Sequence, residues 1–233
     1  MTLIAAPVAR SARTRIKICG LTREQDVDDA VRFGADAVGF VMYPGSDRCV
    51  TAQRATELAR RLPPFVTPVL LFVNESAPKV IAACAYIPCA VAQFHGDESL
   101  QDCLDATQNG IHQFIRAARI PTDDKTPIFD LVKYAHIFSA AQAILLDAHI
   151  AAYGGGGTSF NWSLLPANVD CHLVLSGGLS PANVGEGIRL LRNCGRSLAV
   201  DVSSGVESSK GIKDRRLMEL FINAVRAADA SNV

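Results

Sequence analysis

The stretch RIKICGLTREQDVDDAVRFGADAVGFVM, Arg15 to Met42, holds one full repeat of the pattern that decides the fold. RIKICG (15–20) and AVGFVM (37–42) are short runs dominated by Val, Ile and other apolar residues, the composition of strands. Between them, Thr22 and Gln25 have the spacing of a capping box, Val27, Ala30 and Val31 fall on one helical face, and Gly34 supplies a stop. Strand, helix and strand in immediate succession make a βαβ unit, whose two strands lie parallel.

The alternation continues down the chain. TPVLLFV (67–73), AVAQF (90–94), QFIRAA (113–118), AILLD (143–147), HLVLSG (172–177) and LAVDVS (198–203) bring the strand candidates to eight. Thr126-Pro127 and Ser180-Pro181 each read as an N-cap followed by proline at the first helical position. Leu217, Leu220, Phe221, Ala224, Val225 and Ala228 predict a last helix with one buried stripe. Eight strand-helix units of about 29 residues fit the size of a (β/α)8 barrel. The expected fold is therefore α/β, a single-domain (β/α)8 TIM barrel over residues 15–233 behind a short leader, 1–14. A doubly wound open sheet is the alternative, but no G-x-G-x-x-G fingerprint follows the first strand.

Composition narrows the function. With 49% hydrophobic residues among 233, the chain can bury a large core, which excludes a disordered class. Its 23 basic residues match its 23 acidic ones, so no nucleic-acid or membrane partner is expected, and an anionic ligand must be held locally. Seven cysteines, an odd number without paired CxxC spacing, point to reduced thiols in a cytoplasmic protein rather than to disulfides or a zinc site.

In such a barrel the active site lies at the C-terminal ends of the strands. Those ends carry Cys19, the loop MYPGSDR with Arg48, QFHG with Gln93 and His95, Asp147, Gly177-Gly178, and DVSSG with Asp201, Ser203, Ser204 and Gly205. The glycines of SGGLSPANV and DVSSGVE could serve tight turns only, but two such loops on adjacent late strands, with bare backbone and helix starts, favour a phosphate site. AHIAAYGGGGTSF, 13 residues ahead of a helix expected from Asn161, is long for such a loop and reads either as a lid that closes over substrate or as a disordered segment. Cys19 is either a small core residue or, beside a helix N-terminus, a thiolate base. Asp147 is either a capping residue or a general acid, because desolvation favours a neutral, donating carboxyl. Arg48 has a fork suited to a carboxylate or phosphate. His95 is a structural imidazole or a proton carrier, and Asp201 binds a sugar hydroxyl or orients its loop.

Taken in order, KICGLT, PGSDR, QFHG, LLD with GGGGTSFNW, LSGGLSPANV and VDVSSGVE strongly resemble phosphoribosylanthranilate isomerases of tryptophan biosynthesis, from about Arg15 to the last helix. The resemblance implies a cofactor-free and metal-free Amadori rearrangement of N-(5-phosphoribosyl)anthranilate. It implies Asp147 as general acid at the ring oxygen, Cys19 as general base at C2′ and Arg48 on the anthranilate carboxylate. Gln93, His95 and Asp201 would line the substrate, and Gly155, Gly157, Gly177, Gly178, Ser203, Ser204 and Gly205 would hold its phosphate. A monomer or homodimer is expected. Two positions depart from the family's usual GGTGKTFDW: Thr158 replaces its lysine and Asn161 its aspartate. The first removes a loop cation, whereas the second keeps a competent cap. An indole-glycerol-phosphate synthase or a ribulose-phosphate epimerase would share the late glycine loops without using both Cys19 and Asp147, and a catalytically silent barrel would need neither.

Overall fold

A computed structural model describes residues 13–121, 129–148 and 161–231. Eight parallel strands close into one barrel in sequence order: β1 (Arg15–Cys19), β2 (Ala37–Val41), β3 (Thr67–Phe72), β4 (Val91–Phe94), β5 (Phe114–Ile120), β6 (Ala143–Ala148), β7 (His172–Leu175) and β8 (Ser197–Val202). The described helices are α1 (Glu24–Phe33), α2 (Ala52–Ala59), α3 (Ala77–Tyr86), α4 (Leu100–Ala106), α5 (Leu131–Ile137), α6 (Val184–Leu191) and α7 (Arg215–Ala230). A two-stranded ribbon, β9 (Glu207–Ser209) with β10 (Ile212–Lys213), follows β8. All eight strand candidates are strands, and the barrel expectation holds.

Period-two alternation sorts each strand into a helix-facing row and a lumen-facing row. Ile16, Ile18, Val38, Phe40, Leu70, Phe72, Ile144, Leu146, Val200 and Val202 join one large core beneath the helices. Cys19, Val41, Leu71 and Val73 form a separate cluster, and Ala117, Ala143, Leu145 and Val174 another. These are the lumen residues, so Lys17, two positions before Cys19, points inward as well. Parallel register then sets Lys17 beside Asp201 and Cys19 beside Gly39.

Three helix signals fall differently from expectation. Thr22 does not cap α1: its hydroxyl donates to the Gly211 carbonyl, and Arg23 occupies the N-cap position without a side-chain cap. The helix starts one residue too late for the Thr22 oxygen to serve it. Gly34 stops α1 as expected, at φ 100°, with its N–H on the Ala30 and Val31 carbonyls. Ser180 opens a turn, not a helix; α6 begins only at Val184. After β6, the helix expected from Asn161 is a 3-10 turn, Trp162–Leu164, with Asn161 accepting from the Ser163 N–H. Leu165 is already extended, as a residue before proline prefers, so Pro166 ends the turn. Thr126-Pro127 lies outside the described residues.

The stripe on α7 is also rotated. Met218, Phe221, Ile222, Val225 and Ala228 are buried, whereas Leu220 is 44% exposed and Leu217 and Ala224 flank the core. Asp214 caps this helix by accepting from the Leu217 N–H. Fully burying a side chain such as Phe221 contributes about 1.5 to 3 kcal/mol, enough to set the helix's rotation. At the other end of the chain, Thr14 is buried with its N–H and hydroxyl on the Asp229 carboxylate, tying β1 to α7. Residues 1–12 of the expected leader lie outside the described residues.

Candidate active site

Every described candidate sits at the C-terminal rim of the barrel, where the strand ends place it. A polar belt runs around that rim. On β1, Lys17 and Cys19 face the lumen, and Lys17 Nζ donates to Asp201 Oδ1 at 2.8 Å. Ser176, just beyond β7, donates to Asp201 Oδ2 at 3.1 Å. Next to it, Gly177 crowds the end of β6 so closely that a Cβ there would lie 2.7 Å from Asp147 Oδ1. Asp147 in turn bonds His95 Nε2 at 2.8 Å, and His95 Nδ1 lies 3.1 Å from Gln93 Nε2. Cys19, Lys17, Asp201, Asp147, His95 and Gln93 are each at most 6% exposed.

Asp147 is held on both oxygens, since its Oδ1 also accepts from the Ala148 N–H at 3.0 Å. The Gln93 amide fixes the polarity on the other side. With Nε2 toward His95 Nδ1, the imidazole donates through Nε2 to Asp147. Gln93 Oε1 is then buried without a partner. The loop carrying His95 is stapled by Arg116, which donates to the carbonyls of Phe94, Gly96, Ala117 and Glu98. The Glu98 carboxylate accepts the N–H groups of Asn74 and Gly96.

Cys19 differs from expectation in its electrostatics. Burial pushes the thiol up, more strongly than the Lys17 ammonium pulls it down. The helix dipole that was expected to lower it acts from too far away, because α1 begins only at Glu24. Lys17 itself is lowered by burial, but Asp201 and Cys19 outweigh that and hold it above the usual lysine range. Space for the thiol comes from Gly39: a Cβ there would lie 2.7 Å from Cys19 Sγ and 3.1 Å from Lys17 Nζ. Gly39→Ala is expected to displace the thiol and lower kcat about 10²-fold with the melting temperature nearly kept. Steady-state rates checked against a thermal melt decide it, and wild-type turnover would mean that this gap does not place Cys19.

Arg48 is committed on one edge. Its Nε and Nη2 each donate at 2.7 Å to the Glu207 carboxylate on β9. Lys213 on β10 also reaches Glu207, at 2.7 Å, and the Ser203 carbonyl, at 3.0 Å. Burial would raise Glu207, yet Arg48 and Lys213 together hold it below the ordinary carboxylate range. Burial lowers Lys213, with Glu207 partly offsetting it. Arg48 stretches over Gly20, where a Cβ would lie 2.5 Å from its Cδ.

The late glycines divide by role. Gly177 and Gly178 have φ of 76° and 64°, a backbone that only glycine adopts without strain. Gly205 is bare because a Cβ would lie 1.9 Å from the Leu179 carbonyl, so it locks the loop after β8 to the loop after β7. Ser204 and Gly205 lie in a short 3-10 turn, Ser204–Val206, the kind of turn expected after β8, and Ser203 stands at its N-cap position. Gly155, Gly157 and Thr158 lie outside the described residues. Among the described residues, no group of three or more His, Cys, Asp or Glu is placed to hold a metal ion, and no helix is long and apolar enough to cross a membrane.

Sequence reading missed Lys17, Gly39, Glu207, Lys213 and Arg116. Period two from Cys19 was the available signal for Lys17, and the Glu closing DVSSGVE was the signal for Glu207.

Against known families, residues 16–224 match the model for N-(5'phosphoribosyl)anthranilate (PRA) isomerase. The chain belongs to the PRA isomerase family. Among curated relatives, the N-(5'-phosphoribosyl)anthranilate isomerase of Methylibium petroleiphilum is 57% identical over 94% of this chain and 96% of its own. That of Leptothrix cholodnii is 55% identical over 95% of each chain. The PRA isomerase structure from Thermotoga maritima is 36% identical, with a TM-score of 0.75 over 92% of this chain and 99% of its own. Another PRA isomerase structure, solved with reduced 1-(o-carboxyphenylamino)-1-deoxyribulose 5-phosphate, is 34% identical with a TM-score of 0.73, covering 92% of this chain and 99% of its own.

Proposed function

We infer that this PRA isomerase converts N-(5-phosphoribosyl)anthranilate to 1-(2-carboxyphenylamino)-1-deoxyribulose 5-phosphate, a step of tryptophan biosynthesis, with Asp147 as general acid and Cys19 as general base. One observation carries the assignment of roles: the two groups stand at the C-terminal ends of β1 and β6 on the same rim of a closed barrel, and a hydrogen-bonded path from Lys17 through Asp201 to Ser176 crosses the strands between them. Asp147 protonates the furanose ring oxygen as the C1′–O bond breaks. The anthranilate nitrogen pushes in to give an open-chain protonated imine. Cys19 then takes the C2′ proton, and the electron pair moves into the imine to form an enolamine, which tautomerises to the ketone. The imine is the electron sink, so acid and base suffice for the rearrangement.

Binding follows from the same rim. The backbone of Gly177, Gly178, Ser203, Ser204 and Gly205 would carry the phosphate, and Gly155 and Gly157, outside the described residues, would add to it. Asp201 would meet a ribose hydroxyl, and Gln93 and His95 support Asp147 under the sugar. With its Nε–Nη2 edge on Glu207, Arg48 offers Nη1 to the anthranilate carboxylate. Arg48→Ala should raise KM about 10- to 100-fold with a smaller change in kcat, the loss of a charged hydrogen bond used for uniform binding. An unchanged KM would remove Arg48 from the carboxylate site. The protein acts in the cytoplasm as a monomer or homodimer. Substrate fluorescence tests the whole reading, since freshly made phosphoribosylanthranilate should be consumed far faster with enzyme than alone. Decay at the spontaneous rate would reject it.

A further inference from the structure

The acid-base scheme has no use for Lys17, although an ammonium 4% exposed inside a barrel is costly to bury and needs compensation. Asp201 compensates it at 2.8 Å, but the lysine also faces the Cys19 thiol on its own strand, Nζ and Sγ both lying within 3.1 Å of the point that a Cβ on Gly39 would occupy. The bare α-carbon of Gly39 faces both groups at once. We propose that Lys17 is a positioning residue that holds the thiolate form of Cys19, with Asp201 as the counterweight that limits how strongly it does so. This rests on the reading of Cys19 as the base.

Charge counting supports the proposal. Among the described residues, Cys19 is faced by Lys17 from β1, Asp201 from β8, Arg48 from the loop after β2 and Lys213 from β10. Glu207 on β9 bonds both Arg48 and Lys213, and Tyr43 packs on the same lumen cluster. Three cations against two carboxylates leave one positive charge in a buried cluster. A Cys19 thiolate brings that cluster to neutrality, and Lys17 is the cation placed to bond it. Burial works the other way on the thiol, so the lysine opposes a penalty that the barrel itself creates.

The two partners of Lys17 make the test signed. Alkylation of Cys19 by iodoacetamide, followed by peptide mass spectrometry at fixed pH in the full chain without substrate, reports the thiolate fraction. Exposed Cys89 is an internal control. Lys17→Met should slow labelling of Cys19 about tenfold, while Asp201→Asn should speed it about tenfold, each equivalent to a shift of one pH unit. A purely structural role would change access to the thiol in the same direction in both variants. Should Lys17→Met fail to fold because it strands Asp201, the double variant Lys17→Met/Asp201→Asn replaces it and should label more slowly than Asp201→Asn alone. Opposed shifts sustain the proposal; equal shifts, shifts of one sign or no shift overturn it. Because substrate is absent, failure here leaves the isomerase reading standing, and failure of turnover leaves this result readable.

Discussion

Asp147→Asn is expected to lower kcat about 10²- to 10⁴-fold, with KM and melting temperature close to those of the wild type. Asparagine is nearly the same shape: its oxygen can still accept from the Ala148 N–H, and its NH2 in the place of Oδ2 can donate to His95 Nε2 once the imidazole takes its other tautomer. What it lacks is a proton to give. Ring opening expels the furanose oxygen as an alkoxide unless that oxygen is protonated as the bond breaks, so the loss falls on the transition state and not on binding. We propose that Gln93 and His95 accommodate both states of the acid, whose proton is resupplied by solvent. With the Gln93 amide nitrogen on Nδ1, the imidazole donates to Asp147, an arrangement suited to a carboxylate. Turning the amide over reverses both bonds: Nδ1–H donates to Oε1, now relieved of its isolation, and Nε2 accepts from a protonated Asp147. Steady-state assay by substrate fluorescence decides the matter, and a kcat within about tenfold of the wild type would strip Asp147 of its role.

Much of this site was legible before any coordinates, because a parallel barrel converts strand ends into one rim. Cys19, Asp147, His95 and Asp201 were visible as reactive types closing apolar runs. What stayed hidden was long-range pairing. Period two can turn Lys17 inward, but only register sets it beside Asp201, 184 positions away. Arg48 reads as a free ligand for a carboxylate until Glu207, 159 positions on, takes one edge of its fork. Local signals failed where a tertiary partner competed for the same group: Thr22 gave its hydroxyl to Gly211, and Leu220 lost its place in the core because Met218 and Ile222 set the rotation of α7. The cysteine's environment was misjudged for a related reason, since a thiol near a helix in sequence is not thereby at its N-terminus. Burial in the lumen dominates there, and only the folded barrel shows how much charge stands opposite it.

Cys19→Ser should reduce kcat by a similar factor, about 10²- to 10⁴-fold, but should stop the reaction one step later. A serine hydroxyl holds its proton too tightly to serve as a base near neutral pH, and neither Lys17 nor Asp201 can take over while they bond each other. Ring opening, which needs only Asp147, should continue. Borohydride added to the Cys19→Ser complex should therefore trap the open-chain imine as a secondary amine, whereas the Asp147→Asn complex should yield little. The wild type's pH dependence has a determined sign. Burial raises the thiol against the pull of Lys17, so kcat/KM should climb with pH on its acid side. Once the sugar ring has opened, the protonated imine is a cation in front of the sulfur, and it favours the thiolate as Lys17 does. The rising limb of kcat should thus lie at lower pH than that of kcat/KM. Coincident limbs, or equal trapping in the two variants, would show that Cys19 does not take the proton after the ring opens.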